Sequence, residues 1–174
     1  MAEDFGHRIA IEAICDGHRI DLIADGAERK AIADRLGLLS LECLKAHVTL
    51  DRDSGRVRAS GRIAASLEQS CIATGDPVAE HIDEPFELIF VPEVGQAALD
   101  QEIELGEADC EVIFYEGGAI DFGTAIADTL ALAMNPYPRS AGADAALKEA
   151  GVLSESEAGP FAALAKLKRG NDEP

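Results

Sequence analysis

Carboxylates recur in an acidic segment near residue 100, at a spacing that could hold a divalent cation. The spacing matches positions 1, 3, 5 and 12 of a calcium-binding loop, which uses oxygen ligands there. The residues concerned are Asp100, Glu102, Glu104 and Glu111. Position 6 of such a loop needs glycine for a sharp turn, and here it is Leu105. We therefore interpret the segment as a solvated acidic loop and expect neither a metal nor a cofactor.

A cysteine and a histidine in the centre of the chain could form a nucleophile and its base. Cys71 and His81 are the pair concerned. A lone cysteine at the end of a strand, however, is more often a small buried hydrophobic residue. The sequence also contains no GxSxG turn, GxGxxG turn, phosphate-binding loop or HExxH helix. We expect no catalytic residues, and a protein that is not an enzyme.

Three arginines alternate along one predicted strand and could contact nucleic acid. Arg56, Arg58 and Arg62 stand at even spacing, which places their side chains on one face of the strand. Two residues of a strand advance by about 7 Å, close to the phosphate repeat of a nucleic acid strand. The alternative is that these arginines cover the solvated face of a half-buried sheet or protect an exposed edge. The sequence leaves both interpretations open.

The charge of the chain is concentrated in one stretch. Residues Ile63 to Pro138 contain no lysine or arginine and 16 aspartates and glutamates, within a net charge of −18 for the whole chain. A field of this sign repels phosphate and attracts cations or basic proteins. We therefore expect the protein to act through two different surfaces.

The N-terminal residues and the cysteines indicate the cellular compartment of the protein. The first residues are acidic and polar, and no apolar stretch of 18 residues occurs, so neither a signal peptide nor a membrane span is predicted. The four cysteines are Cys15, Cys43, Cys71 and Cys110. Their spacing contains no CxxC pair and does not indicate a dense disulfide framework. We expect a cytoplasmic protein that does not contact a membrane.

Alternating apolar residues predict the strands that would carry these side chains. The predicted strands are Arg8–Ile14, His18–Ile23, Leu39–Leu50, Arg56–Leu67, Val78–Ile82, Phe86–Val91 and Val112–Tyr115. The third and fourth form a hairpin around the turn formers of residues 51–55. Pro85 separates the fifth from the sixth and is expected at an edge or bend, because proline cannot donate to a ladder.

Helical spacing predicts two packed helices and a third, detached one. The first covers Gly26–Leu36 and ends at Gly37, and the second covers Asp121–Met134 and ends before Pro136. A third, at about residues 160–169, would follow a flexible Ala-, Gly- and Glu-rich tail. The predicted fold is α+β: a small, mostly antiparallel β-sheet or partial barrel with two packed helices and a tethered C-terminal helix. We expect one domain over residues 1–138 and a flexible tail over 139–174.

Three segments, taken in this order, carry a resemblance to a known family. They are QSCIATGDPV from Gln69, IDFG from Ile120 with NPYPR from Asn135, and PFAALAKLK from Pro160. Together they resemble the YceD family, the large ribosomal RNA subunit accumulation proteins. The motif residues, of structural or unknown role, are Cys71, Thr74, Pro77, Asp121, Pro136, Tyr137, Pro138, Arg139, Phe161 and Leu164. Many relatives have a second cysteine where this chain has Thr74, and this departure removes a CxxC metal or redox site here.

The resemblance implies a non-enzymatic accessory role in 23S rRNA synthesis, processing or accumulation and in large-subunit biogenesis. In the favoured hypothesis, the acidic segment binds a basic large-subunit ribosomal protein or assembly intermediate. The residues assigned to this contact are Glu102, Glu104, Glu107 and Asp109. In the alternative, Arg56, Arg58 and Arg62 contact 23S rRNA directly. A metal-dependent nuclease or hydrolase is the third and least favoured hypothesis.

Overall fold

A computed structural model describes residues 5–53, 55–93 and 112–152. The described residues divide into two compact units. The first comprises the chain up to residue 69 together with 79–136, and the second comprises 70–78 together with the chain from 137 onward. In the part of the chain that the structure describes, no helix is long and apolar enough to cross a membrane.

A five-stranded sheet, a two-stranded sheet and three helices make up the described secondary structure. In chain order the elements are β1 (Arg8–Ala10), β2 (His18–Ile23), α1 (Gly26–Leu36), β3 (Ser40–Asp53), β4 (Arg56–Ser70), β5 (Pro77–Pro92), β6 (Val112–Tyr115), β7 (Ala119–Asp121), α2 (Phe122–Ala133) and α3 (Ala143–Glu149). The larger sheet has the order β2-β3-β4-β5-β6, and β1 pairs with β7. The pairs β1–β7, β2–β3 and β3–β4 are antiparallel, and the pair β5–β6 is parallel. A mostly antiparallel sheet together with separate helices confirms the predicted α+β class. The described strands do not close into a barrel.

The hairpin of β3 and β4 has the predicted position and longer strands than predicted. Its turn contains Gly55 at φ 90°, a conformation that a residue with a side chain rarely adopts. Residues of both strands alternate between buried and exposed over most of their length. The buried residues face the hydrophobic core, so the alternate residues form a solvated outer face.

Two strand predictions were wrong in extent. Extended structure from Arg8 stops at Ala10, and a 3-10 turn, Ile11–Ala13, follows it. This turn buries Ile11, whose N–H donates to the Gly118 carbonyl oxygen at 3.0 Å, the next position in the β1–β7 register, before the chain turns away. The predicted break at Pro85 is also absent, because β5 continues from Pro77 to Pro92.

The continuity of β5 has a simple reason. β6 pairs with Ile89–Pro92 of β5 and does not reach Pro85. On that side of β5, the described sheet therefore has no ladder for a residue without an N–H to interrupt. The expectation that Pro85 lies at an edge thus agrees with the pairing, although the predicted division into two strands does not.

The two main helices match the prediction because their ends carry strong signals. Asp25 accepts the N–H groups of Ala27 and Glu28, the Glu28 side chain accepts the Asp25 N–H, and Gly37 closes α1 in the left-handed region. Asp121 caps α2 by accepting the Thr124 N–H at 3.2 Å. Helix α3 was not predicted. The tethered helix of residues 160–169 lies outside the described residues, and the boundary at 138 stays a prediction.

Helix α2 packs closely against the N-terminal segment and the sheet. A Cβ atom added to Gly123 would lie 1.5 Å from the carbonyl oxygen of Phe5, so the two backbones approach too closely for a side chain. The rings of Phe122 and Phe90 meet edge to face, with centroids 5.1 Å apart. These contacts hold α2 against the core of the first unit.

Candidate functional site

The arginine row lies on the outer face of β4. Arg56, Arg58 and Arg62 are all exposed, while Val57 and Ile63 between and beyond them are buried. The shared face is the geometry that either sequence interpretation requires. It is therefore the surroundings of the guanidinium groups that distinguish RNA contact from a solvated sheet face.

Two of the three arginines are held by carboxylates of β5. The Arg62 Nε–H donates to Oδ1 of Asp83, and its Nη2–H donates to the Asp83 carbonyl oxygen at 2.9 Å. This contact raises the pKa of Arg62 above its ordinary value, first through the hydrogen bond and then through the charge of Asp83. Arg58 Nη1 lies 3.3 Å from Oε1 of Glu87. Each pair reduces the charge that its arginine can offer to a phosphate.

The opposite neighbours of the row, on β3, are not uniformly basic. His47 faces Arg62 in the register, and its Nδ1 lies 2.6 Å from Oδ1 of Asp21 on β2. Asp51 faces Arg58 and Asp53 faces Arg56 in the same register. The outer face thus mixes both signs of charge across four strands, as is typical of a solvated sheet face.

The hairpin end of the sheet forms a cleft of mixed charge, with a volume of about 430 Å³. The charged residues that line it are Asp16, Asp51, Arg52, Asp53, Arg56 and Arg58. Asp51 Oδ1 accepts the Gly17 N–H at 2.9 Å, and Asp16 Oδ1 accepts the Arg52 N–H at 3.0 Å. These two hydrogen bonds join residues 16–17, which precede β2, to the hairpin of β3 and β4. The aspartates that line the cleft therefore stabilise the fold.

The second unit contains a polar cluster around Cys71. The Ser140 N–H donates to Cys71 Sγ at 3.2 Å, and the Ile72 N–H donates to the Pro138 carbonyl oxygen at 3.0 Å. Thr74 Oγ1 donates to Oδ2 of Asp76 at 2.6 Å. The cluster therefore joins the loop that follows β4 to the chain that follows Tyr137.

The hydrogen bonds to Cys71 alter its acidity. The hydrogen bond from the Ser140 N–H lowers the pKa of the thiol from its ordinary 9.0 to about 6, although burial opposes this shift. Cys71 is 3% exposed, so solvent and reagents reach it poorly. The arrangement is that of a buried acceptor that anchors Ser140.

The exit from α2 is anchored within the first unit. The Asn135 N–H donates to Oε1 of Glu80 at 2.9 Å, and its carbonyl oxygen accepts from Gln69 Nε2 at 3.1 Å. Gln69 Nε2 also donates to Oε2 of Glu80 at 2.6 Å. The motif residues Gln69 and Asn135 are thus joined through a carboxylate that the sequence did not single out.

Some of the other predicted site residues have structural contacts, and the rest lie outside the described residues. Pro77 begins β5, Asp121 caps α2, and Arg139 Nη1 lies 3.1 Å from Oδ1 of Asp144 in the second unit. The acidic residues Glu102, Glu104, Glu107 and Asp109 lie outside the described residues, and so do Phe161 and Leu164. In the described ranges, no three His, Cys, Asp or Glu side chains are placed to hold a metal ion.

Sequence reasoning missed the partners of these residues. Asp83, Glu87 and Ser140 carry the geometry described above, yet none was singled out. Ser140 lies 69 positions from Cys71. For Asp83 and Glu87, the alternation of β5 places both on the solvated face, but pairing them with particular arginines requires the β4–β5 register.

A comparison with protein-family models shows which family the chain belongs to. A family model described as large ribosomal RNA subunit accumulation protein YceD matches residues 59–168, more than half of the chain. The chain belongs to the YceD family. The description of the family places its members in the accumulation of large-subunit ribosomal RNA and hence in ribosome biogenesis. No curated protein and no solved structure matches the chain.

Proposed function

We propose that this YceD-family protein is a non-enzymatic, cytoplasmic accessory factor in 23S rRNA accumulation and large-subunit biogenesis. It acts by binding a basic large-subunit ribosomal protein, or an assembly intermediate that carries one, through its acidic segment. The residues that make this contact are Glu102, Glu104, Glu107 and Asp109. Its partner is thus a ribosomal protein, and its effect on rRNA is indirect.

The observation that supports this proposal is the pairing of Arg58 with Glu87 and of Arg62 with Asp83. The carboxylates belong to the stretch Ile63–Pro138, which contains no lysine or arginine. This stretch therefore supplies counter-charges to the strongest candidate for RNA contact while keeping a large excess of negative charge. Such a field attracts Lys- and Arg-rich surfaces and repels phosphate.

The mechanism follows from the behaviour of basic ribosomal proteins near RNA. Their cationic segments bind RNA through phosphate contacts that carry no sequence information. An acidic segment that covers those cations until assembly suppresses non-specific binding. The ribosomal protein is thereby kept available for assembly. The 23S rRNA can then be incorporated into large subunits, and it accumulates.

A capture experiment with location-matched charge changes tests the proposal. The test variant carries Glu102→Gln, Glu104→Gln, Glu107→Gln and Asp109→Asn. The control carries the same change in charge at four exposed positions elsewhere: Glu12→Gln, Asp34→Asn, Glu42→Gln and Glu149→Gln. Salt-extracted large-subunit proteins are passed over each immobilised protein at several salt concentrations. The test variant should lose most of the capture and the control should keep it; unchanged capture by the test variant would refute the proposal.

Direct contact with 23S rRNA through Arg56, Arg58 and Arg62 is the second candidate, because all three share one exposed face. Such contact must act against the net charge of −18 and would depend steeply on salt. Replacing the three arginines by alanine should weaken retention of 23S rRNA at matched salt if this candidate is right. Equal retention by the parent protein and the triple variant would dismiss it.

A further inference from the structure

A groove of about 390 Å³ lies between β6, β7 and the first half of α2, in the first unit. Its floor is apolar, since Phe90, Ile120 and Ala125 are buried. At its side lies Phe114 of β6, which is 60% exposed. An exposed aromatic ring next to an apolar concavity is a surface feature that marks binding sites, because leaving both in water is unfavourable.

The rim of the groove is acidic. It contains Glu116, Asp121 and Asp128, together with one cation, Arg8. Two of the carboxylates have structural tasks, because Asp121 caps α2 and Asp128 lies 3.3 Å from Nη2 of Arg35. Glu116 is exposed, and it neither caps a helix nor pairs with an arginine among the described ion pairs.

A second carboxylate lies next to Glu116. The Glu93 N–H donates to the Tyr115 carbonyl oxygen at 3.0 Å, which fixes the end of β5 against the end of β6. The neighbouring carboxyl group of Glu116 raises the pKa of Glu93, first through hydrogen bonding between the two carboxyl groups and then through its charge. Three carboxylates line the groove against a single arginine. The rim therefore favours a ligand that carries positive charge.

We propose that this groove receives an apolar side chain of a basic protein segment, with lysines or arginines on either side of it contacting the acidic rim. This inference rests on the proposed function and names the surface that the basic partner uses. The apolar floor selects the side chain, and the carboxylates select its neighbours in the segment. In the sequence, the acidic segment runs directly into β6, since Glu111 precedes Val112. A partner attracted by that segment is thereby brought to the groove.

Three synthetic peptides of 16 residues test the two-part recognition by fluorescence anisotropy. The first carries leucines flanked by lysine and arginine; the second has serine in place of leucine; the third keeps leucine and has glutamine in place of the cations. The first peptide should bind the full-length protein at least about tenfold more tightly than either of the others, because each lacks one part of the match. Equal binding of the first and second peptides would overturn the apolar part of the proposal.

Variants of the groove locate the binding. Phe114→Ser and Glu116→Gln change exposed side chains and should weaken binding of the first peptide about tenfold. Ile23→Ser and Glu42→Gln are matched controls, because both side chains are exposed and neither lines the groove. If the parent protein binds and the groove variants bind equally well, the groove is the wrong site and the proposed function stands. If the parent captures neither the peptide nor large-subunit proteins, both fail.

A photo-crosslinking amino acid at position 114 identifies the occupant. Crosslinks to the basic peptide, found by mass spectrometry of the full-length protein, support the proposal. Crosslinks to another segment of the same chain, or to a second copy, in the presence of saturating peptide would overturn it. In that case the groove would be covered by the protein itself.

Discussion

Arg62 binds Asp83 at two points, through the carboxylate and through the backbone carbonyl oxygen, and so links β4 to β5 on the outer face of the sheet. The contact was invisible to the sequence patterns that singled out Arg62. It converts a candidate phosphate ligand into one half of an ion pair. The stretch Ile63–Pro138 therefore does more than set the net charge, because two of its carboxylates also form ion pairs with Arg58 and Arg62.

Freeing the two paired arginines should increase RNA binding. The double variant Asp83→Ala, Glu87→Ala leaves Arg58 and Arg62 without these carboxylates, and we expect stronger retention of 23S rRNA in filter binding at low salt. Each freed arginine should steepen the dependence of log affinity on log salt by about 0.7 to 0.9.

The control for this prediction is Glu12→Ala with Glu42→Ala, which removes the same charge from exposed positions without an arginine partner among the described ion pairs. If the control raises retention as much as the test variant does, net charge explains the result and the pairing has no part in it.

Gly123 should tolerate no side chain. A Cβ atom there would lie 1.5 Å from the Phe5 carbonyl oxygen, and because this is backbone it cannot rotate away. We expect Gly123→Ala to lower the free energy of unfolding by ~3 kcal/mol or more in urea denaturation. Gly26→Ala is the control, since the nearest atom is Arg29 Nη2 at 3.9 Å, and it should stay within about 1 kcal/mol of the parent protein. Similar stabilities of the two variants would show that α2 does not pack on Phe5 as described.

The stabilising effect of Cys71 should depend on pH. Folding lowers the pKa of the thiol from 9.0 to about 6, so between these values the folded state binds fewer protons than the unfolded state. The contribution of the thiolate to stability is complete above pH 9, shrinks as the pH falls, and is lost below about 6. Cys71→Ala should therefore cost more stability at pH 9 than at pH 6 in chemical denaturation.

The titration itself can be followed by the thiolate absorbance near 240 nm, as the difference between the parent protein and Cys71→Ala. In denaturant this difference should titrate near the ordinary pKa of 9.0, and in the folded protein well below it. A folded-state titration at or above 9.0 would show that the Ser140 N–H does not stabilise the thiolate.

The elements that the sequence predicted well are those whose ends carry local chemistry. Asp25 and Gly37 define α1, and Asp121 begins α2, because caps act on neighbouring backbone groups. The β3–β4 hairpin is local for the same reason. Its turn lies between consecutive strands, so the alternation on one strand determines the face of the other.

The missed features depend on contacts between distant parts of the chain. The pairing of the predicted strand at Arg8 with β7, a strand of three residues, is indicated by no short-range pattern. The continuity of β5 through Pro85 depends on where β6 stops. The contact of Ser140 with Cys71 likewise requires the folded chain. Candidate residues could therefore be read from the sequence, while their partners could not.

The central claim is that a basic ribosomal protein, and not rRNA, is the direct partner. Crosslinking in cells that express the full-length protein, followed by mass spectrometry of the captured protein and RNA, tests it most directly. We predict crosslinks from residues 100–111 to Lys- and Arg-rich large-subunit proteins, which disappear with the four-site acidic variant and persist with its charge-matched control. Crosslinks from the Arg56–Arg62 face to 23S rRNA that survive the acidic variant, without a captured ribosomal protein, would contradict the account.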